Sequence, residues 1–376
     1  MKRALLFCFL PIMLLGCMKK EESKLRMVVG TYTNSDSKGV YSYSVSEDFS
    51  EFKLLDTCRI DNPSYLTLSE DGSRIYAVSE MSDSSASVYA IAFDASNGKF
   101  KVLNSQMTEG TDPCYVSTNG SVVVTANYGG SLSVFPIQPD GSLKRMSQFF
   151  EGSIGGPDTL RQIKPHVHCV AFSRDNSKLW VSDFSADRLI AFDIVGEGDS
   201  IIPVVADDGE HWAVVVGEDD GPRHIVFSND GKFAYSIGEL SGAVTVYDVN
   251  DGLLSVIQRI QADEHNARAS ADIKISKDGS TLYASVRRKN DGIAVFRIDE
   301  STGLLSKLDY TMTGEHPRNF NISPDGKYLL CACRDSDVIE VFEIEQDGNM
   351  KGTLKSTGIK LNVPRPVCIV FTEDGE

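Results

Sequence analysis

The sequence predicts an all-β protein, a seven-bladed β-propeller with four antiparallel strands in each blade. The first observation is a repeat, in which an apolar residue and a Ser precede a Gly- or Asn-centred turn and a short apolar strand. Six full copies lie at residues 68–80, 116–128, 172–184, 227–239, 275–287 and 322–334. The repeated Ser positions are roughly 47 to 56 residues apart, which is typical of four-stranded propeller blades.

The second observation is the succession of strand and turn signals inside each repeat. Most copies carry Asp-Gly or Asn-Gly between two β-rich runs, and Gly supplies the positive φ that a tight hairpin needs. A third strand with alternating apolar residues follows, as at residues 87–94, and then an outer strand, as at residues 99–107. No segment carries sustained helical periodicity with caps, which argues against two βαβ domains.

The third observation is a truncated seventh copy at residues 371–376. Its missing partners are expected at the other end of the chain, where residues 27–33, 39–45 and 51–58 predict a second, third and fourth strand. Joining the two ends closes the ring and leaves no open sheet edge.

The N-terminus has the layout of an export signal, with Lys2 and Arg3 before an apolar run at residues 4–15. Leu-Leu-Gly-Cys ends this run and is similar to a bacterial lipobox, which makes Cys17 the lipidation site and the only membrane anchor. An ordinary cleaved signal with an incidental Cys is the alternative. The predicted organisation is a signal peptide over 1–17, a polar tether over 18–26 and the propeller over 27–376. We therefore expect a lipoprotein of the cell envelope, in the periplasm or at the outer membrane.

The composition excludes some partners. The formal net charge of −16 argues against nucleic acid or an anionic membrane surface, since either needs a basic face. Six Cys residues lie outside the signal, and no Cys-x-x-Cys spacing indicates a metal or redox site. Cys331 and Cys333 share one face of a strand and are interpreted as small buried residues, with a disulfide as the alternative.

Two sets of residues are predicted to meet at one mouth of the propeller, because the innermost strand starts where the antiparallel second strand ends. The segments before the repeated Ser contain His166, His168, His224, His265, His316, Arg223, Arg268, Arg318 and Arg365. The ends of the repeats are Glu80, Tyr128, Phe184, Glu239, Arg287 and Arg334.

This Arg- and His-rich mouth indicates an anionic ligand, because guanidinium groups bind carboxylate or phosphate bidentately. The acidic residues expected among them are Glu80, Glu239, Asp183 and Asp272. The alternative is that polar residues near the axis tie the blades together, and His224 and Arg318 are candidates for such ties.

The amino-acid sequence of the repeats resembles that of the bacterial 6-phosphogluconolactonases, which are seven-bladed propellers related to the carboxy-cis,cis-muconate cyclases. The motifs that carry the resemblance lie at residues 62–80, 112–117, 125–135, 165–173, 182–194, 221–248 and 363–371. The resemblance implies a lactonase with its functional positions at His168 or His166, Arg223, Glu239 and Arg287.

The first functional hypothesis is hydrolysis of a small anionic lactone or sugar-acid lactone without metal or cofactor. Ring opening needs a base for the attacking water and positive charge for the oxyanion. His168 with Glu239 is the predicted base unit, His166 is the alternate base, and Arg223 and Arg287 are the clamps. The predicted substrate-binding residues are Glu80, Tyr128, Asp183, His224, Arg318 and Arg365.

The second hypothesis is a non-catalytic envelope propeller that binds an anionic sugar, a polysaccharide or a protein partner. An open water position between His168 and Arg223 favours hydrolysis, whereas a His168 that is fully bonded into a blade tie favours binding. Metal-assisted hydrolysis is a third option, with two ligands available from His166-x-His168.

Overall fold

A computed structural model describes residues 25–205 and 212–373. The predicted signal peptide with Cys17, most of the tether, and the end of the seventh repeat lie outside the described residues. Within the described ranges, no helix has the length and apolar character needed to cross a membrane.

The strands follow one another in seven groups. The chain begins with β1 (Leu25–Thr31), β2 (Gly39–Val45) and β3 (Phe52–Arg59). Blade 1 consists of β4 (Leu66–Leu68), β5 (Arg74–Ser79), β6 (Ser87–Asp94) and β7 (Lys99–Met107). Blade 2 consists of β8 (Pro113–Thr118), β9 (Val122–Asn127), β10 (Ser131–Pro136) and β11 (Gln148–Glu151). Blade 3 consists of β12 (Val167–Phe172), β13 (Lys178–Asp183), β14 (Arg188–Val195), β15 (Ser200–Pro203) and β16 (Ala213–Val215).

The second half of the chain repeats the pattern. Blade 4 consists of β17 (Pro222–Phe227), β18 (Phe233–Gly238), β19 (Ala243–Asn250) and β20 (Leu253–Gln261). Blade 5 consists of β21 (Ser270–Ile275), β22 (Thr281–Val286), β23 (Gly292–Ile298) and β24 (Leu305–Met312). Blade 6 consists of β25 (Pro317–Ile322), β26 (Tyr328–Cys333), β27 (Val338–Ile344) and β28 (Leu354–Asn362), and β29 (Pro366–Glu373) ends the described chain. Three 3-10 turns lie at Phe184–Ala186, Arg334–Ser336 and Gly348–Met350.

Blades 1 to 6 are antiparallel sheets with their strands in chain order, and a seventh antiparallel sheet joins the two ends of the chain, so the predicted seven-bladed all-β propeller is confirmed. In blade 3 the outermost strand is split, since β15 pairs with one end of β14 and β16 with the other. The innermost strands β4, β8, β12, β17, β21, β25 and β29 contact one another around a closed ring.

The seventh blade joins both ends of the chain, as the truncated repeat predicts. Its sheet has the order β29, β1, β2, β3, and Val29 pairs with Ile369 in the middle of the joint. The first strand starts at Leu25, two residues before the predicted boundary, because Leu25 and Arg26 continue the pairing with β29.

The repeated Ser stabilises the hairpin between the first and second strands of a blade. In blade 4 the hydroxyl of Ser228 donates to Asp230 at 2.7 Å and accepts from the Phe233 amide at 3.0 Å, which ties the two sides of the hairpin together. Gly231 in this turn has φ +72, a conformation that side chains disfavour. Equivalent Ser to Asp bonds occur at Ser69, Ser173, Ser276 and Ser323.

Hydrophobic clusters fill the spaces between neighbouring blades, one at each of the seven junctions. The six Cys residues beyond the signal are all buried and free, which agrees with their interpretation as small core residues. The Sγ atoms of Cys331 and Cys333 lie 3.8 Å apart and are not bonded.

Closure by β29 gives a first prediction. Truncation after Arg365 removes the buried residues Val367 and Ile369 and leaves β1 as an open inner edge. We expect the truncated chain to lose the cooperative thermal transition, measured by circular dichroism. Truncation after Glu373 is the control and should keep the transition. A truncated chain that melts cooperatively at the wild-type Tm contradicts the role assigned to β29.

Candidate active site

A shift in register at the start of the innermost strands brings polar side chains to the mouth. In blades 2, 3, 4 and 6 the pairing with the second strand skips one residue, and the skipped residues are Cys114, His168, Arg223 and Arg318. Blade 5 has a shift of the same size, because Ala271 and Asp272 lie between the pairs Ser270–Val286 and Ile273–Ala284. Such a bulge re-aims a side chain that regular alternation would place elsewhere. In blade 7 the skipped residue is Val367, which contributes no polar group.

The residues that follow the second strands form the other half of the site. Glu80, Tyr128, Phe184, Glu239, Arg287 and Arg334 follow β5, β9, β13, β18, β22 and β26. Tyr32 is the seventh member of this set, because it follows β1, the second strand of the split blade. Tyr32 is not among the predicted mouth residues, although the predicted closure of the ring by both ends of the chain contains the signal needed to find it.

Glu239 is the point at which three guanidinium groups meet. Its Oε1 accepts a hydrogen bond from Nη2 of Arg161 at 2.7 Å, and its Oε2 accepts one from Nε of Arg223 at 3.0 Å. Nη2 of Arg287 lies 3.1 Å from the same Oε2. Arg161 comes from the connection between blades 2 and 3, Arg223 from blade 4, and Arg287 from blade 5. One carboxylate therefore joins side chains from three segments.

The charges around Glu239 decide its ionisation. Burial raises the pKa of this carboxyl group, but Arg287 and Arg223 outweigh burial and hold the pKa well below its usual value. The carboxylate is thus a weak base, and no hydrogen bond joins it to His168 among the described residues. The assignment of His168 with Glu239 as a base unit therefore stays a prediction.

On the other side of the mouth, Arg318 is held more loosely. Nη2 of Arg318 lies 4.0 Å from Oε2 of Glu80, and its Cζ lies 5.4 Å from the ring centre of Tyr32. The Tyr32 hydroxyl reaches both oxygens of Glu80, at 3.0 and 2.9 Å. Burial raises the pKa of Glu80 while Arg318 opposes that rise.

The two histidines of blade 3 differ in their bonding. Nδ1–H of His166 donates to the Tyr128 carbonyl at 2.5 Å, so Nε2 carries the lone pair, and the ring stacks on Tyr128 at 4.0 Å. His168 is buried, and its Nδ1 lies 3.8 Å from Sγ of Cys114. Burial lowers the pKa of His166, and burial together with Arg223 lowers the pKa of His168 well below its ordinary value. Both imidazoles are therefore neutral near pH 7.

His224 lies in a deeper layer and does not face the mouth. Its Nδ1–H donates to Asp272 at 2.8 Å, and its Nε2 accepts from Nη1 of Arg223 at 2.9 Å. Burial lowers the pKa of His224 to about 3, so the ring is neutral. Asn319 of blade 6 donates to the same Asp272 at 2.7 Å. His224 therefore orients Arg223 and ties blades together, which is the structural alternative and not the predicted substrate contact.

All three guanidinium nitrogens of Arg287 also make contacts within the protein. Its Nε donates to the carbonyl of Ala269 at 2.7 Å, its Nη2 to the carbonyl of Ser270 at 2.9 Å, and its Nη1 to Nε2 of His316 at 3.2 Å. Each of its nitrogens already contacts another group of the protein, and its function as a clamp on substrate stays a prediction. Arg287 fixes Glu239.

Two predicted binding residues lie away from Glu239. Asp183 is completely buried and binds the Ser153 hydroxyl and Arg188, because it is the last residue of β13 and not the one that follows it. Arg365 pairs with Asp335 at 3.2 Å on the rim, since it precedes the bulge position of blade 7 by two residues. Neither residue contacts Glu239 among the described residues, and their predicted function in substrate binding stays a prediction.

Arg161 is the main site residue that could not be predicted from the repeat. It lies in an irregular connection, and no spacing rule places such a residue. Its Nη2 also lies 3.2 Å from the Tyr128 hydroxyl, which puts Tyr128 at the mouth as predicted. Within residues 25–205 and 212–373, no group of three or more His, Cys, Asp or Glu side chains is placed to hold a metal ion.

The fold and this site define a propeller with a cationic mouth, and comparison with known proteins identifies the family. The family described as "Lactonase, 7-bladed beta-propeller" matches residues 26–371. The chain therefore belongs to the seven-bladed β-propeller lactonases, and the family that the sequence resembles is confirmed.

Named relatives and solved structures agree. The chain is 33% identical to a 6-phosphogluconolactonase of Formosa agariphila, over 84% of this chain and 91% of the relative. It is 31% identical to a 6-phosphogluconolactonase of Bacillus subtilis, over 91% of this chain and 97% of the relative. A Bacteroides fragilis structure superposes with a TM-score of 0.88 at 43% identity, covering 94% of this chain and 99% of the other. The Pseudomonas aeruginosa periplasmic gluconolactonase PpgL gives a TM-score of 0.85 at 28% identity, covering 93% and 99%.

Proposed function

We propose that this protein hydrolyses an anionic sugar-acid lactone at the mouth that contains Glu239. Relatives named as 6-phosphogluconolactonase and gluconolactonase support the reaction class. The observation that carries the proposal for this chain is the coexistence of free guanidinium donors and a free imidazole lone pair at one mouth.

The free donors belong to Arg223 and Arg318. Nη2 of Arg223 and all three nitrogens of Arg318 donate no hydrogen bond among the described residues, and none of them is a fully buried unpaired atom. These N–H groups are therefore not committed to a hydrogen-bond partner among the described residues. Arg223 is the better oxyanion donor, because Glu239, His224 and a backbone carbonyl already hold it in place.

His166 is the better candidate for the general base. Its tautomer is fixed by the Tyr128 carbonyl, so Nε2 presents a lone pair, and it is only half-buried. His168 also has a free Nε2, but deeper burial and the charge of Arg223 make it the weaker base. A base whose pKa lies close to the working pH transfers protons most efficiently.

The proposed reaction uses one water and no other reactant. Water attacks the lactone carbonyl carbon while Nε2 of His166 takes one of its protons, and Arg223 stabilises the oxyanion that forms. The bond from the carbonyl carbon to the ring oxygen then breaks, and the imidazolium returns its proton to the departing alkoxide. The product is the open hydroxy acid.

The location is a further part of the proposal. The lipobox motif supports an anchor at Cys17, and Leu25 pairs with Glu373 at the end of the blade remote from the mouth. A chain tethered through this end would present its mouth away from the bilayer, towards soluble substrate.

The base assignment gives a second prediction. His166→Gln should lower kcat on 6-phosphoglucono-δ-lactone or glucono-δ-lactone by roughly 10²- to 10⁴-fold, because general-base transfer is lost. His168→Gln should lower kcat much less. The measurement is steady-state hydrolysis by the purified soluble domain, with both variants checked for an unchanged thermal transition.

The pH profile provides the control for this assignment. Because the pKa of His166 is lowered from 6.5, wild-type kcat should stay level near neutral pH and fall only as the pH drops below 6.5. His166→Gln should remove this acidic limb. If wild type opens no lactone, or if only His168→Gln abolishes turnover, the catalytic proposal is wrong in the first case and the base assignment in the second.

The anchor gives a third prediction. In cells fed a labelled fatty acid, the wild-type protein should incorporate label and Cys17→Ser should not, because the thiol is the acceptor. Cys8→Ser, which changes the other Cys of the signal, is the matched control and should be labelled like wild type. Equal labelling of Cys17→Ser rules the anchor out.

A further inference from the structure

The connection between blades 2 and 3 is longer than the other connections of its kind. It covers residues 152–166, whereas residues 313–316 and 363–365 are enough to join later blades. The extra length reaches over the mouth and delivers Arg161 to Glu239. The connection therefore places one additional positive charge at the site.

The end of this connection that leads into blade 3 is fixed to that blade by hydrogen bonds. The buried Gln162 donates to Asp187 at 2.6 Å and to the Phe184 carbonyl at 3.1 Å, and it accepts from the Asp158 amide at 3.0 Å. The hydroxyl of Ser185 donates to the Lys164 carbonyl at 2.6 Å. These bonds give the connection a defined shape.

Asp158 shapes the segment around Arg161. Its Oδ1 accepts hydrogen bonds from the amides of Leu160 at 2.8 Å and Arg161 at 2.9 Å. Its Oδ2 accepts one from Nη2 of Arg268 at 2.5 Å, and the same guanidinium binds Asp219. Asp158 thus joins the connection at residues 152–166 to the side of the mouth that blades 4 and 5 form. It is a positioning residue for Arg161.

The guanidinium of Arg161 is only partly used. Nη2 binds Glu239 and Tyr128, while Nε and Nη1 donate no hydrogen bond among the described residues and are not fully buried. The side chain is 31% exposed, compared with 2% for Arg223. Its Cζ lies 5.4 Å from the ring centre of Phe184, which limits its movement.

The charge at the mouth is unbalanced. Four guanidinium groups, from Arg161, Arg223, Arg287 and Arg318, face the two carboxylates of Glu239 and Glu80, so the sum of charges is +2 with neutral imidazoles. Arg223 and Arg287 already outnumber the single charge of Glu239. Arg161 is therefore a surplus cation whose Nε and Nη1 are not used by Glu239.

We propose that Arg161 is a specificity residue that binds a phosphate or carboxylate group on the substrate, away from the lactone carbonyl. This inference rests on the proposed lactonase function. Its position on the outer edge suits the charged end of a substrate that enters from solvent, whereas the rigid Arg223 suits the reacting carbonyl. An anionic group that accepts from the unused Nη1–H groups of Arg161 is bound more strongly than a neutral hydroxyl, because the hydrogen bond is charge-assisted.

The test compares equilibrium binding of two products that differ only in the phosphate, gluconate and 6-phosphogluconate, by calorimetry. Arg161→Gln should weaken 6-phosphogluconate by roughly 10- to 100-fold, as loss of a charge-assisted pair does, and gluconate by less than about threefold. Glucarate, which carries a carboxylate in place of the phosphate, identifies which anion the site prefers. The matched control is Arg74→Gln, which removes one positive charge from the opposite face of the ring and should change neither affinity.

The positioning role of Asp158 is tested by the same measurement. Asp158→Asn keeps the turn acceptor but weakens the bond to Arg268, and it should weaken 6-phosphogluconate more than gluconate, while Asp158→Glu should restore most of the affinity. The inference is overturned if Arg161→Gln affects gluconate and 6-phosphogluconate equally or affects neither. Because binding is measured without turnover, a wild type that opens no lactone refutes the proposed function and leaves this comparison intact.

Discussion

The carboxylate of Glu239 is the constraint on which the mouth depends, because three guanidinium groups converge on it. Like charges at such short range repel strongly where little water is present, and one buried carboxylate offsets that repulsion. Backbone carbonyls also accept hydrogen bonds from the guanidinium groups of Arg223 and Arg287. Cohesion of neighbouring blades and the electrostatics of the site therefore depend on the same bonds.

The four arginines therefore differ in function. Arg287 and much of Arg223 bind other groups of the protein and stabilise the fold, whereas Arg318 and Arg161 keep free donors and are available to a ligand. Strain accompanies the site, since the bulky residues His316 and Arg365 have φ values of +60 and +48 just before innermost strands. Such conformations cost about 1–3 kcal/mol each and persist only where the surroundings hold them. The mouth is thus a pre-built cluster of positively charged groups within an acidic protein.

Much of this was predictable from sequence, because a repeat fixes both the number of blades and the end of each blade that carries polar residues. Glu80, Tyr128 and Glu239 follow from that rule. The rest depends on details that spacing does not contain. The position of Arg318 at the mouth was predicted, but the one-residue bulge that turns it there was not. Asp183 ends its strand one residue too early and points into the protein interior. Arg161 lies in an irregular connection, where only tertiary contacts determine its position.

The most direct test of the central claim is the free energy of unfolding of Glu239→Gln, measured by denaturant titration. Removing the negative charge leaves three guanidinium groups without their shared partner, and we expect a loss of about 3–5 kcal/mol, as is usual when one member of a buried ion pair is removed. Glu264→Gln, which removes an exposed carboxylate paired with Lys307, should leave the stability unchanged. A Glu239→Gln protein as stable as wild type would contradict the account, because the guanidinium groups would then be held apart by other means.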